Sequence, residues 1–387
     1  MNIDKNTCYG CGVCVIICKS SAISIELSES GFWIPKIDQE KCVYHCGLCE
    51  KTCSFLYDGL SEQVNKMDVR AYSFITGDKN LLPLVSSGGA GYGIGKYFLD
   101  KGYNVLGVGY DYQKNIAFHT IIKDEKMLNK TIGSKYIQSY TADAIKKIKN
   151  GDHVIFGCPC FIDSFKRLIK INNNKEQNFI LVDFFCHGVP SYHLWRKYLS
   201  FHLKNDERLV DVKFRDKCNG WGEYTMTMTM SSDKYFSKSL RKNDYFLNIY
   251  LSNFVLNEPC YSCKFRGLDS SADIRIGDLW GKKYEKNKTG VSCVVCFTYE
   301  GQNVIKQLSS FGIICEENIE TVLKGQIVKN ILMPKSRSSI LKILKSNIYL
   351  PLLYYFFFYR RWIKNAFPSV AREKFKFLLE KYCSRVK

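Results

Sequence analysis

Eight cysteines stand in the first 53 residues, at Cys8, Cys11, Cys14 and Cys18, and again at Cys42, Cys46, Cys49 and Cys53. Each run sets three thiols close together and a fourth one helical turn further on. Thiolates at such spacing suit a pair of [4Fe-4S] cubanes, in which the fourth cysteine of each run ligates the other cluster. On that pattern Cys8, Cys11, Cys14 and Cys53 hold one cluster, and Cys42, Cys46, Cys49 and Cys18 hold the second. The chemistry of such centres is one-electron transfer. Zinc is the competing reading, but structural zinc favours two separated thiol or imidazole pairs. A disulfide framework needs an oxidising compartment. The opening Met1–Lys5 has no apolar signal core, so a reducing cytosol is the expected location. Lys19 and Ser54 stand where a proline commonly follows the fourth cysteine, and the second run has three residues in its first gap.

A second group of thiols is scattered along the chain. Cys160 and Cys186 fall just past the carboxyl ends of two predicted buried strands, where ligands of open α/β sheets gather. Pro259-Cys260-Tyr261-Ser262-Cys263 is a CxxC in a loop. Cys160, Cys186, Cys260 and Cys263 are therefore expected to hold a third [4Fe-4S] cluster, with Cys158 the rival of Cys160. The alternative is that they are small core hydrophobes. Cys293 and Cys296 fall inside a predicted strand, where they would point to opposite faces. They are read as core, and Cys218, Cys315 and Cys383 likewise.

Ser86-Ser87-Gly88-Gly89-Ala90-Gly91 follows a predicted strand and opens a helix. Small residues let the backbone approach an anion, and the helix start offers free N–H groups. The stretch is neither a G-x-G-x-x-G nor a P-loop, and tight helix–sheet packing would explain it equally. Beside iron–sulfur sites, a flavin pyrophosphate is the favoured ligand. Gly133-Ser134-Lys135-Tyr136 offers a cation and a phenol to a flavin or a carboxylate. His187 has the range for proton work, or for a hydrogen bond to a neighbouring sulfur.

The elements that would position these groups divide the chain in three. Residues 1–57 read as an α+β ferredoxin-like 2[4Fe-4S] domain, an internal repeat of about 35 residues with two alternating strands between its halves. Residues 69–335 alternate strands and helices, the pattern of an α/β domain with a mainly parallel sheet; with the flavin favoured at Ser86–Gly91, this is expected to be an α/β flavin-binding domain. A hairpin is predicted around Ser231-Ser232-Asp233. Residues 336–387 form a basic, aromatic tail in which Ile348–Phe358 leads into Arg360, Arg361 and Trp362. Such a segment suits the inner face of a membrane or a buried terminal helix. The apolar run is too short to span a bilayer. Hydrophobic residues at 46% support a core, and a formal net charge of +19 favours an acidic partner such as a ferredoxin or flavodoxin. No basic helix with interleaved aromatics is present, so nucleic acid is not expected.

Seven motifs then occur in a recognisable order. They are Ser87-Gly88-Gly89, Gly133–Tyr136, Gly157-Cys158-Pro159-Cys160, Cys186–Ser191, Phe214-Arg215-Asp216-Lys217, Cys260-x-x-Cys263 and Ala272–Gly281. Over roughly residues 1–325 the chain resembles the beta-subunit family of coenzyme F-420 hydrogenases and dehydrogenases, in the bacterial branch with a fused ferredoxin domain. The family's Gly-Thr-Pro-Cys is here Gly157–Cys160, so Cys160 matches its cysteine and Cys158 is extra. The resemblance implies FAD and a resident cluster. It places the flavin at Ser87, Gly88, Gly89 and Lys135, and implies electron transfer to a two-electron partner. The tail is similar to those of polysaccharide-associated members, which points the acceptor toward surface-polysaccharide synthesis. Whether a deazaflavin is used does not follow.

Overall fold

The computed structural model describes residues 8–43, 46–61, 68–148, 151–172, 177–204, 206–355 and 358. Cys383, Arg360, Arg361 and Trp362 lie outside the described residues.

The opening unit is a hairpin with two short helices. Strands β1 (Ile23–Leu27) and β2 (Trp33–Ile37) pair antiparallel, as their alternation predicts. The helices Val13–Ile17 and Leu48–Lys51 each begin after a glycine in the left-handed region, Gly12 at φ 76° and Gly47 at φ 60°. The matched glycines reflect the internal repeat, because only glycine adopts that conformation without strain.

Nine strands build the main sheet. They are β3 (Arg70–Thr76), β4 (Asn104–Asp111), β5 (Ile116–Ile122), β6 (Ser139–Tyr140), β7 (His153–Phe156) and β8 (Phe179–Phe184), then β12 (Ile274–Asp278), β13 (Ser292–Cys296) and β14 (Gly312–Glu317). Between them in the chain, β9 (Leu209–Asp216), β10 (Thr225–Met230) and β11 (Tyr235–Ser239) form a separate antiparallel sheet, which contains the predicted hairpin. The main sheet runs β14-β3-β13-β12-β8-β7-β4-β5-β6. β12, β8, β7 and β4 are parallel neighbours, and so are β5 and β6. The other four contacts, β14–β3, β3–β13, β13–β12 and β4–β5, are antiparallel. The sheet is therefore mixed, and the expected mainly parallel sheet is corrected. Short connections that carry no crossover helix, as between β4 and β5, can only return antiparallel.

Alternation along the central strands feeds two cores. Val105, Val154, Val182 and Ile274 pack with Ile94 and Phe98 of the helix Ala90–Asp100. Their neighbours Leu106, Ile155 and Leu181 face the other way, onto Phe161, Phe165 and Leu168 of the helix Pro159–Asn172. Val13 and Ile17 of the opening unit share that second core. The ferredoxin-like unit is thus seated on the helix that follows β7. Hydrogen bonds fasten it: the Asn257 amide donates to the Cys8 carbonyl at 2.9 Å, and the Thr141 hydroxyl to the Cys11 carbonyl at 2.6 Å.

Two cysteine assignments are corrected. Cys218 and Cys315 are exposed rather than core. Cys315 points outward from β14, the edge strand, whose outer face nothing covers among the described residues. Cys218 sits just past the end of β9. Cys293 and Cys296 are buried on opposite faces of β13, in separate cores.

The tail packs onto the body as far as it is described. Ile340, Leu341 and Leu344 of the helix Arg337–Lys345, then Leu350, Leu353 and Tyr354, are buried in the core built on the helix Tyr192–His202. Tyr349, Leu352 and Tyr355 remain exposed. Among the described residues no helix is long and apolar enough to cross a membrane.

Candidate iron–sulfur and anion-binding centre

Four of the opening thiols converge. Cys14 lies within electrostatic reach of Cys11, Cys8, Cys53 and Cys49, and Cys11 within reach of Cys53. Burial pushes the Cys11 thiol up to about 11 and raises Cys8 and Cys14 further, with repulsion between neighbouring thiolates adding to it. Crowded, desolvated thiols resist ionisation unless a cation sits among them. A metal core reverses that balance, because coordination deprotonates a thiol outright. The group Cys8, Cys11, Cys14 and Cys53 fits such a core. Backbone N–H groups already aim at sulfur, Gly10 to Cys8 at 3.0 Å and Ala22 to Cys18 at 3.3 Å.

Cys18 and Cys49 pack on one small apolar cluster with Val15 and Ile23, so the first run's fourth thiol is carried to the second run. Cys46 is exposed and also feels Cys49. Cys42 is half-buried.

The scattered thiols form a second group. Because β7 and β8 are parallel, Cys160 and Cys186 emerge at the same sheet edge. The turn Glu258–Ser262 brings Cys260 and Cys263 to them. Cys160 feels Cys11, Cys263, Cys186 and Cys260. Cys158 donates a hydrogen bond to Cys186. That bond, with the Gly188 N–H and the Arg266 and Arg275 guanidiniums, draws the Cys186 thiol down to about 7, while Cys158 is pushed up. Both Cys158 and Cys160 therefore border the group.

Gly188 has φ 121°, and a Cβ there would lie 3.1 Å from Cys260 Cβ, so only glycine permits this approach. Arg266 ties the loops together, donating to the Cys186, His187 and Cys260 carbonyls. His187 Nε2 is buried without a partner, a donor or acceptor left over at the edge of the group. Burial lowers His187 to about 4, so it is neutral at pH 7. Among the described residues no three His, Cys, Asp or Glu side chains close to the range of a single ion. A cubane is a larger body and needs its thiolates further apart.

The serine–glycine stretch lies at the same edge of the sheet. Gly88 is pressed between β3 and β13: a Cβ would stand 2.0 Å from the Phe74 carbonyl oxygen and 2.5 Å from the Ser292 nitrogen. Its smallness is thus used in packing, the alternative weighed from sequence. Gly89, at φ 94°, caps the helix Ala90–Asp100 with no side-chain acceptor. Ser87 donates to the Val291 carbonyl at 2.8 Å. The Gly133–Tyr136 loop docks here, since the Ser134 N–H donates to Ser86 Oγ at 2.8 Å.

Two lysines close on carbonyls around this loop. Lys135 donates to the carbonyls of Thr131, Ile132 and Gly133. Lys217 donates to those of Leu82, Ser87 and Thr289 at 2.7, 2.6 and 2.5 Å. Among the described residues neither has a carboxylate within ion-pair distance. Burial lowers Lys135 to about 7 and Lys217 to about 8. Two desolvated ammoniums beside a helix start fit an anionic group.

Next to them Arg215 pairs with Asp278 at 2.8 Å and lies 3.7 Å over the Tyr224 ring, while Trp221 and Trp280 stack at 4.2 Å. The residues missed from sequence are Lys217 as part of the cradle, Arg266, and the pair Arg275–Asp183. The Phe214–Lys217 and Ala272–Gly281 motifs were the signals for Lys217 and Arg275. A cavity of about 460 Å³ lined by Phe201, His202, Phe236, Lys238 and Tyr349 shares no residue with either thiol group or the cradle.

Comparison with known proteins assigns two segments of the chain. Residues 7–55 match the 4Fe-4S dicluster domain, and residues 152–322 match the C terminus of the coenzyme F420 hydrogenase/dehydrogenase beta subunit. Among solved structures the chain is similar to one of the F420-reducing [NiFe] hydrogenase complex from Methanosarcina barkeri. The two share 15% identity over 71% of this chain and 87% of that chain, with a TM-score of 0.45. No curated protein matches the chain. With a 4Fe-4S dicluster domain in front, this iron–sulfur, electron-transfer chain carries over residues 152–322 the C-terminal domain of the coenzyme F420 hydrogenase/dehydrogenase beta-subunit family.

Proposed function

We propose that the chain is a flavin-dependent iron–sulfur oxidoreductase. It takes single electrons from a ferredoxin-like donor and delivers them in pairs to an organic acceptor. The observation that carries this reading is the contiguity of its groups. Cys11 of the opening set neighbours Cys160 of the second set, and the Ser86–Gly89 cradle stands at the same sheet edge as Cys160.

In this reading Cys8, Cys11, Cys14 and Cys53 hold one cubane, and Cys42, Cys46, Cys49 and Cys18 the outer one. Cys160, Cys186, Cys260 and Cys263 hold the third, with Cys158 the competing ligand. Ser87, Gly88, Gly89 and Lys135, joined by Lys217, seat the pyrophosphate of FAD. Bound there, FAD supplies the exchange between one-electron and two-electron chemistry. The chain's own part is to fix spacing, exclude water around the thiols and aim N–H donors at sulfur.

The net charge of +19 suits an acidic donor such as a ferredoxin or flavodoxin. We place the acceptor in surface-polysaccharide synthesis on the tail's resemblance alone. The exposed Tyr349, Leu352 and Tyr355 are the residues with which the tail would touch the inner face of a membrane.

Anaerobic purification with iron, sulfide and flavin assays tests the reading. About twelve irons and one FAD per chain are expected, and a preparation that stays colourless after reconstitution overturns it. A relay subunit feeding a partner enzyme is the alternative. Reductant-dependent turnover of a small molecule by the pure protein excludes it.

A further inference from the structure

Ser164 lies on the helix Pro159–Asn172, one turn after Cys160, and Ser54 directly follows Cys53. Both are buried, at 0% and 1% exposure. They connect the two thiol groups by hydrogen bonds. Cys11 Sγ donates to Ser164 Oγ at 3.4 Å, and Ser164 Oγ donates to Ser54 Oγ at 2.8 Å. The Ser54 N–H donates to Ser164 Oγ at 3.1 Å, and Ser54 Oγ donates to the Cys160 carbonyl at 2.9 Å.

We propose that Ser164 is a positioning residue for electron flow between the two thiol groups, and that its hydroxyl donates to Cys11 Sγ whenever Cys11 is ligated. This rests on the reading of Cys11 as a cluster ligand. A ligated cysteine is a thiolate and has no proton to give. At 3.4 Å its sulfur can then only accept. The Ser54 N–H and the Ser54 hydroxyl are already committed, to Ser164 Oγ and to the Cys160 carbonyl. The hydrogen that can be re-aimed is that of Ser164, by rotation about its Cβ–Oγ bond with no heavy atom moving. Ser54 Oγ loses an incoming bond and keeps its outgoing one.

An O–H directed at a cluster thiolate stabilises the more negative, reduced state and raises the potential of that centre. Ser164 therefore makes the Cys8/Cys11/Cys14/Cys53 centre a better acceptor toward the outer one. Its neighbour Ser54 holds the backbone of Cys160 in reach for the next transfer. One electron enters and one leaves, and the hydroxyl hydrogen stays on Ser164.

The test uses the full chain, anaerobically reconstituted, as wild type, Ser164→Ala, Ser164→Thr, Ser54→Ala and Cys11→Ser, each titrated with dithionite and followed by EPR. Ser164→Ala is expected to keep its full iron, with the midpoint of one cluster signal falling while the others hold. Ser164→Thr restores that midpoint. Ser164→Ala with full iron and unchanged midpoints overturns the role of Ser164 and leaves the cluster assignment standing. Ser54→Ala keeps the Ser164 hydroxyl and removes its rival acceptor, so its midpoint does not fall. A fall there overturns the proposal even if alanine at 164 does not fold. Cys11→Ser retaining every iron overturns the cluster assignment, and the proposal with it.

Discussion

Arg275 stands opposite Asp183 in register across β12 and β8, and its guanidinium grips both carboxylate oxygens, Nε to Oδ1 at 2.7 Å and Nη2 to Oδ2 at 2.6 Å. The remaining donors reach the carbonyls of Phe265, Gly267 and Asp269. The pair thus pins the loop that follows Cys263 to the middle of the sheet. Both side chains are buried, at 1% and 0% exposure.

Removing one partner of that pair should cost far more than removing both. Arg275→Met leaves a buried carboxylate uncompensated, a loss of about 3–5 kcal/mol. The double variant Arg275→Met with Asp183→Leu should recover part of it. Urea unfolding of the single and double variants measures the difference. Equal stability of Arg275→Met and the wild type would show that the pair adds nothing.

Replacing Cys263 by Ser should remove about four irons and abolish reduction of bound flavin, while the opening clusters remain reducible by dithionite. Iron analysis and EPR read this directly. Loss of every cluster would instead mean that the substitution disturbs the fold.

Gly88 and Lys217 separate packing from binding in the cradle. Gly88→Ala forces a Cβ to within 2.0 Å of the Phe74 carbonyl oxygen and should destabilise the whole domain. Lys217→Met should leave stability close to wild type and lower flavin retention about tenfold, the effect of losing one charged contact. Because burial already lowers Lys135 to about 7 and Lys217 to about 8, retention should also weaken as pH rises from about 6 to about 9. Ultrafiltration followed by flavin fluorescence gives the comparison. Retention that is flat across that range would put the anion elsewhere.

His119 sets an acid limit on stability. Its Nε2 bonds the Phe156 carbonyl at 3.1 Å and its Nδ1 the Ser139 hydroxyl at 2.8 Å, a pairing that suits the neutral ring with its proton on Nε2. Burial holds the folded ring's pKa down at about 4, from 6.5. The unfolded chain therefore binds the extra proton first. Stability is fully present above pH 6.5 and is lost as pH falls toward 4, by up to about 3 kcal/mol. Urea midpoints at about pH 7.5, 6 and 5 should fall more steeply in the wild type than in His119→Gln. Parallel slopes would remove His119 from the account.

Much of the site was legible in local spacing. Thiols three residues apart lie close together on a tightly turned chain, so Cys8, Cys11 and Cys14 could be grouped by spacing without any knowledge of the fold. The strands were legible too, because alternation of apolar residues marks a half-buried strand whatever its neighbour. That same property hides direction. Period-two patterning is identical in parallel and antiparallel pairing, so β3 and β13 read like the strands of a parallel sheet, and the edge strand β14 does not read as a strand. Cys315 reads as a small core hydrophobe, and its local sequence does not show that β14 lies at the edge of the sheet.

The chain's own order of residues therefore determined the two opening thiol runs and most of the strands, since these depend on neighbours a few positions apart. Only the folded molecule decided that Cys160, Cys186, Cys260 and Cys263 meet, and that Ser164 stands between Cys11 and Ser54. It alone decided that Lys217 closes on the Ser87 carbonyl. Those contacts join residues dozens to hundreds of positions apart. The thiols meet because the parallel strands β7 and β8 deliver their carboxyl ends to one edge, and Ser164 meets Cys11 because the opening unit is seated on the helix Pro159–Asn172.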